Sequence, residues 1–250
     1  MERFKLSPDG KFMALLGSAK KGGGVINVLS ASTLQWVAQV RVESRGGVAE
    51  FCWWRDGKGL CIVGKSGEVT EWSVNTQSVV ARWQDEGAVG TTTLTLGGHH
   101  EFAKSPIGTD RWVVIGSSSG IVNIYDRRAW LADSTTSSDL LPTNPKPTRV
   151  LDHLTTPISH LHIDPTGQIL AMASRWKRDA LRLVHLPTCT VFRNWPTGET
   201  PLGRISAVSW CDGGVVGKKT SGRVEGEEAD VLALLAVGNE KGAVRVWEVR

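Results

Sequence analysis

Two glycine-bearing segments carry the letters of catalytic loops. Gly59-Leu60-Cys61-Ile62-Val63-Gly64-Lys65-Ser66 satisfies the pattern Gly-x4-Gly-Lys-Ser/Thr, in which free backbone N–H groups cradle phosphate in front of a helix. Here the four variable residues are apolar and strand-like, and Gly67-Glu68-Val69-Thr70-Glu71-Trp72 continues as a second strand, so no helix N-terminus follows. Gly116-Ser117-Ser118-Ser119-Gly120 fits Gly-x-Ser-x-Gly, where a strand-to-helix turn exposes a nucleophilic serine. Strand-like sequence flanks it on both sides, and no spacing singles out a partner among Asp126, Asp152, His153, His160 and His162. Both segments read as hairpin turns, and no enzymatic activity and no cofactor are expected.

Metal ligation has one candidate, His99-His100, which lacks third and fourth ligands at suitable spacing and reads as a solvated loop. The cysteines Cys52, Cys61, Cys189 and Cys211 form no C-x-x-C pair and read as core thiols of a reducing compartment. Binding chemistry is better supplied by Arg175-Trp176-Lys177-Arg178. Three cations around an indole can hold phosphates while the ring stacks on a base, and they serve acidic protein partners equally well. Arg127-Arg128 and Lys218-Lys219 are weaker runs of the same kind. Trp53, Trp54, Trp72, Trp112, Trp210 and Trp247 lie in apolar strand-like segments and are expected to pack between sheets.

The elements that must position these groups repeat along the chain. A strand, a polar turn ending in Gly, an apolar strand, a small-residue turn and a third strand recur in five copies. The first turn appears as Ser7-Pro8-Asp9-Gly10, Arg55-Asp56-Gly57, Asp164-Pro165-Thr166-Gly167 and Cys211-Asp212-Gly213. Pro or Asp sets each bend and Gly supplies positive φ. Residues opening the third strand, Gly24, Gly67, Gly120, Asp179 and Gly242, lie 43, 53, 59 and 63 apart. A repeat of about 40–45 residues with insertions, the WD repeat, fits this spacing, and Trp247-Glu248 approximates its dipeptide signature. The expected fold is all-β: a WD-repeat β-propeller with five recognisable blades at about 4–40, 48–85, 91–157, 158–197 and 205–250, forming one domain over 1–250 as part of a seven-bladed ring. No spare outer strand precedes Glu2 to Leu6, so the chain is expected to lack N-terminal blades. Insertions at Gly97 to Asp110, Asp133 to Pro147 and Asp212 to Asp230 all fall on one rim and are expected to be mobile loops.

Composition agrees with this organisation. The 250 residues include 28 Gly and 11 Trp, with 40% hydrophobic and 22% charged residues, as suits many short strands joined by tight turns. The longest apolar run, Val231 to Val237, suits a buried strand and not a membrane span. The formal charge of +4 and pI near 9.0 permit an acidic partner without demanding one.

Segments Ser117 to Asp126 and Asp179 to Pro187, with Asp85-Glu86-Gly87, Asn144-Pro145-Lys146-Pro147, Asn194-Trp195-Pro196 and Thr200-Pro201-Leu202-Gly203-Arg204, resemble in order and spacing the U3 small nucleolar RNA-associated protein 18 family, in its C-terminal propeller portion. The resemblance implies a non-catalytic subunit of the small-subunit processome, resident in the nucleolus and supporting pre-18S rRNA processing and small ribosomal subunit biogenesis. Its implied partners are other processome proteins, with pre-ribosomal RNA or U3 small nucleolar RNA as further contacts, and no membrane or small-molecule substrate. The family's helicase-recruiting N-terminal motif has no match in these residues, and that role is not carried over. The alternative is a WD-repeat adaptor that binds peptides over the central opening in another complex.

Because the phosphate-loop letters lie across a hairpin, Lys65→Ala should leave nucleotide behaviour unchanged. Saturable ATP or GTP binding by the parent chain in equilibrium dialysis, abolished by this substitution, would overturn the hairpin reading.

Overall fold

The computed structural model describes residues 3–18, 23–102, 105–133, 141–213 and 231–250. Its architecture is five antiparallel sheets, each made of strands consecutive in sequence. The first holds β1 (Arg3–Leu6), β2 (Phe12–Ser18), β3 (Gly24–Ser30) and β4 (Trp36–Val42). The second holds β5 (Val48–Trp53), β6 (Gly59–Gly64), β7 (Glu68–Ser73) and β8 (Ser78–Gln84). The third holds β9 (Thr91–Gly97), β10 (Trp112–Ser117), β11 (Val122–Asp126) and β12 (Arg149–Leu151), with a helix, α1 (Arg127–Asp133), between the last two strands. The fourth holds β13 (His160–Ile163), β14 (Ile169–Ala173), β15 (Leu181–His185) and β16 (Thr190–Val191). Three strands of the fifth are described: β17 (Ile205–Asp212), β18 (Ala233–Asn239) and β19 (Val244–Val249).

The repeated turn chemistry makes the hairpins. In the first copy Gly10 has φ 71° and donates its N–H to the Ser7 carbonyl at 2.9 Å, while Ser7 Oγ donates to Asp9 at 2.6 Å. In the fourth, Asp164 accepts the N–H groups of Thr166, Gln168 and Ile169 at 3.0, 2.8 and 2.6 Å. The expected fifth-copy turn is corrected. Cys211 and Asp212 form the last pairs of β17, with Leu234 and Ala233, because the apolar run of β18 is long enough to pair as far as them.

First strands of successive sheets lie side by side, β1 against β5, then β9, β13 and β17, and the sheets stack face to face behind them. Each junction has its own core. Ile26, Val28 and Val40 meet Phe51, Leu60 and Trp72. Val63, Val69 and Trp83 meet Leu94, Ile115 and Tyr125. Val114, Val122 and Ile124 meet Leu161, Leu170 and Val184, and Ala171 and Leu183 meet Val208, Leu235 and Val237. This is the WD-repeat β-propeller arrangement. Strands β6, β10 and β14 are buried at every position because their sheets have neighbours on both faces. The terminal sheets alternate instead, leaving Phe4 and Leu6 each 57% exposed on one and Val244 and Val246 68% and 59% exposed on the other. Of the cysteines, Cys61 and Cys189 are core thiols, Cys52 is half-buried, and Cys211, turned to the outer face of β17, is exposed.

Two insertions contain fixed structure where mobile loops are expected from composition. Between β9 and β10, His100, Ile107 and Asp110 are buried, and a Cβ on Gly108, at φ +77°, would stand 2.9 Å from the Trp54 side chain. His100 is therefore no solvated metal-loop histidine; burial and the nearby Arg127 charge lower its pKa. Between β11 and β12, Trp130 of α1 is buried and packs edge-on against Trp83 at 5.1 Å. The remaining parts of these insertions that are not described, and 214–230 of the third, lie outside the described residues.

A charged pin holds the loop down. Arg127, fully buried at the start of α1, pairs with the equally buried Glu71 of β7 and donates to the Ile107 carbonyl at 2.8 Å. Trp54 Nε1 donates to the other Glu71 oxygen at 2.7 Å. Asp110 accepts the Arg55 N–H at 2.9 Å, and burial pushes its carboxyl up to about 6 against the pull of Arg127. Removing one member of such a pair strands the other charge in an apolar interior. Arg127→Met should therefore cost about 3–5 kcal/mol, with much of the loss recovered in the Glu71→Leu/Arg127→Met double variant. Urea denaturation of the three variants measures this, and a loss below about 1 kcal/mol for the single change, the level of an exposed pair, would show that the pin does not hold the loop.

Candidate interaction surface

Arg175-Trp176-Lys177-Arg178 forms the connection between β14 and β15 and is exposed throughout. Its backbone is clamped from both sides. Ser159, in front of β13, accepts the Arg175 N–H on its hydroxyl at 2.9 Å, and the buried Ser174 hydroxyl receives a bond from Thr156 at 2.7 Å. On the other side Asp179 Oδ1 accepts the N–H groups of Leu202 and Gly203 at 2.9 and 2.8 Å, and the Asp179 N–H donates to the Gly203 carbonyl at 2.9 Å. The turn is thus fixed to the connections on either side of its own sheet.

Asp179 is the positioning residue that the basic run itself does not reveal. It has φ 56°, in the left-handed region occupied at the matching positions by Gly67, Gly120 and Gly242 at 87°, 88° and 76°. Asp tolerates that region better than most residues. The visible signal was an Asp standing where the four other copies have Gly, which points to work done by its carboxylate.

The clamped turn presents its side chains outward. Trp176 is 64% exposed. Arg178 stands 3.7 Å from Glu240, in the β18–β19 turn, and is partly neutralised. Arg175 and Lys177 form no ion pair with a described carboxylate. Two free cations beside an open indole face can neutralise phosphates or carboxylates and stack a planar group.

The other basic runs do not join this surface. Arg127 is corrected outright: it is the interior partner of Glu71 and has no exposed surface to offer. Arg128 folds back on Asp126 with contacts of 2.7 to 3.1 Å, and Arg111 approaches the same carboxylate at 3.1 Å. Arg127 and Arg128 follow β11, so antiparallel pairing sets them on the rim opposite to the β14–β15 turn. Lys218-Lys219 lies outside the described residues. The catalytic-loop letters resolve into hairpins, with Lys65 and Ser66 between β6 and β7, and Ser118 and Ser119 between β10 and β11. On the first strands, Glu50 pairs with Arg3 at 2.7 Å and Lys5 at 3.2 Å, so the cations there are already satisfied.

The clamp makes a testable distinction. Asp179→Asn keeps an acceptor oxygen and should be nearly neutral, whereas Asp179→Ala leaves the Leu202 and Gly203 N–H groups unpaired and should cost about 1–3 kcal/mol. Thermal melts of both variants check this, and equal behaviour would remove Asp179 from the clamp.

No family model matches the chain. Among curated proteins it is 39% identical over 239 residues to the U3 small nucleolar RNA-associated protein 18 of Saccharomyces cerevisiae, covering 90% of this chain and 35% of that protein. It is 36% identical over 249 residues to the probable U3 small nucleolar RNA-associated protein 18 of Schizosaccharomyces pombe, covering 100% and 40%. The mouse homolog of the same protein is 31% identical over 250 residues, covering 100% and 38%. The chain spans between 35% and 40% of the length of these relatives. With the same relative recurring across fungi and mammals at this coverage of its own residues, the chain belongs to the U3 small nucleolar RNA-associated protein 18 family.

Proposed function

We propose that the chain is a non-catalytic scaffold of the small-subunit processome, acting in the nucleolus to hold protein and RNA partners in register during pre-18S rRNA processing. Family membership supports the particle, since its curated relatives are named for association with the U3 small nucleolar RNA. The observation that carries a binding role is the clamped β14–β15 turn, held at one end through the Arg175 and Trp176 N–H groups and at the other through Asp179, with the side chains of Arg175, Trp176 and Lys177 exposed between. A pre-organised cationic turn loses little entropy on meeting a partner, and an exposed indole between cations suits single-stranded RNA better than a protein carboxylate alone.

Reversal of Arg175, Lys177 and Arg178 to Glu should weaken RNA binding and flatten its salt dependence by about 0.7 in the log–log slope per lost phosphate contact. Filter binding across a salt series measures the slope, while affinity purification from nuclear extract with and without ribonuclease identifies the company kept. A folded triple variant that enters pre-ribosomal particles and crosslinks to RNA like its parent would show that the turn is only solvated.

A further inference from the structure

A second concentration of positive charge lies away from the β14–β15 turn, on the outer wall between the third and fourth sheets. The outermost strands there are short: β12 has three residues and β16 two. The space between them is a groove of about 490 Å³, within the range of ligand-sized pockets. Arg149, Arg182, Arg193 and His153 ring it, and no acidic side chain among the described residues lines it. Its floor is apolar, with Leu151 and Val191 from the two edge strands.

Elsewhere Arg3, Arg111, Arg127, Arg128, Arg178 and Arg250 each have a carboxylate partner. Among the described residues no carboxylate pairs with Arg149, Arg182 or Arg193, and Arg182 is satisfied only by the Leu181 carbonyl at 2.7 Å. Asp152, 89% exposed, stands 3.9 Å from His153 and is not part of the lining. Three guanidinium groups around one concavity repel each other unless an anion joins them, and the arrangement costs least when one does.

We propose that this groove receives an acidic, extended peptide segment of a protein partner, with carboxylates on the arginines and an apolar side chain on the floor. Two features favour peptide over nucleic acid. Trp195, the groove's indole, is half-buried and engaged edge-on by Trp247 at 5.3 Å, unlike the open Trp176. Moreover β16 is the outer strand of its sheet and pairs only with β15, through Val191 with Val184 and Thr190 with His185. An outer strand offers backbone groups that an extended peptide can continue.

The test uses the full 250-residue chain and a fluorescein-labelled peptide alternating Glu with Leu, followed by fluorescence anisotropy. Binding should weaken with salt, and a peptide with Gln in place of Glu should bind far less well. Arg149→Ala, Arg182→Ala and Arg193→Ala together should cost about tenfold in affinity per lost charged contact. Reversal of Arg175 and Lys177 should leave it unchanged, which separates this groove from the RNA-binding reading of the turn. Thermal melting shows whether the triple variant folds; the single change at exposed Arg193 carries the test if it does not, with a loss of about tenfold expected. Equal affinity for the Gln peptide, binding unaffected in the arginine variants, or displacement of the peptide by oligouridine whose own binding those variants abolish, would each overturn the proposal.

Discussion

A four-stranded sheet has two apolar faces and no means of covering either by itself. Every other feature of this chain answers that constraint. Stacking the sheets in sequence order covers both faces of the second, third and fourth, so β6, β10 and β14 are buried at every position. With roughly 25 cal/mol gained per Å² of apolar surface removed from water, the four junction cores are the main source of stability. The first and fifth sheets show the same rule from the other side. Each has one buried face and one face where Phe4, Leu6, Val244 and Val246 meet solvent.

Apolar stacking is non-directional, and polar links fix which loop lies on which sheet. The Glu71–Arg127 pair ties the second sheet to the connection after β11 and seats the Ile107 loop over Trp54. A second link joins the same two sheets at the opposite rim. Asp85, buried beyond β8, accepts from the Tyr125 hydroxyl at 2.6 Å and from Asn123 Nδ2 at 2.9 Å, and burial raises its pKa. Buried polar groups of this kind cost stability unless every partner is in place, so they select one arrangement over near alternatives.

The same economy shapes the exposed turn. Ser159 and Ser174 accept the Arg175 and Trp176 N–H groups and Asp179 those of Leu202 and Gly203, leaving the side chains of Arg175, Trp176 and Lys177 exposed on a fixed base. The groove between β12 and β16 is built differently, from residues distant in sequence on two short edges. In the proposed reading one surface meets a stacking, phosphate-bearing partner and the other a carboxylate-bearing strand.

Much of this was legible in the residues alone. Turn chemistry and the recurring strand–turn–strand unit located the hairpins, because Pro, Asp and Gly act locally on φ and ψ. The basic turn was legible for the same reason, being contiguous. The hairpin at Asp212 was misplaced because pairing to β18 outweighs a local turn preference. Arg127 looked like half of a surface pair because adjacency in sequence says nothing about burial, and its partner Glu71 lies 56 residues away. The loops looked mobile because their composition is polar, while their order comes from Trp54, Glu71 and Trp83 on another sheet. Thus the residues by themselves determined the repeat, the strands and the exposed basic turn, all products of short-range stereochemistry. Which charges are interior, which loops are held and which arginines share a groove was decided only by tertiary structure, since burial and charge pairing depend on neighbours that stacking alone brings together.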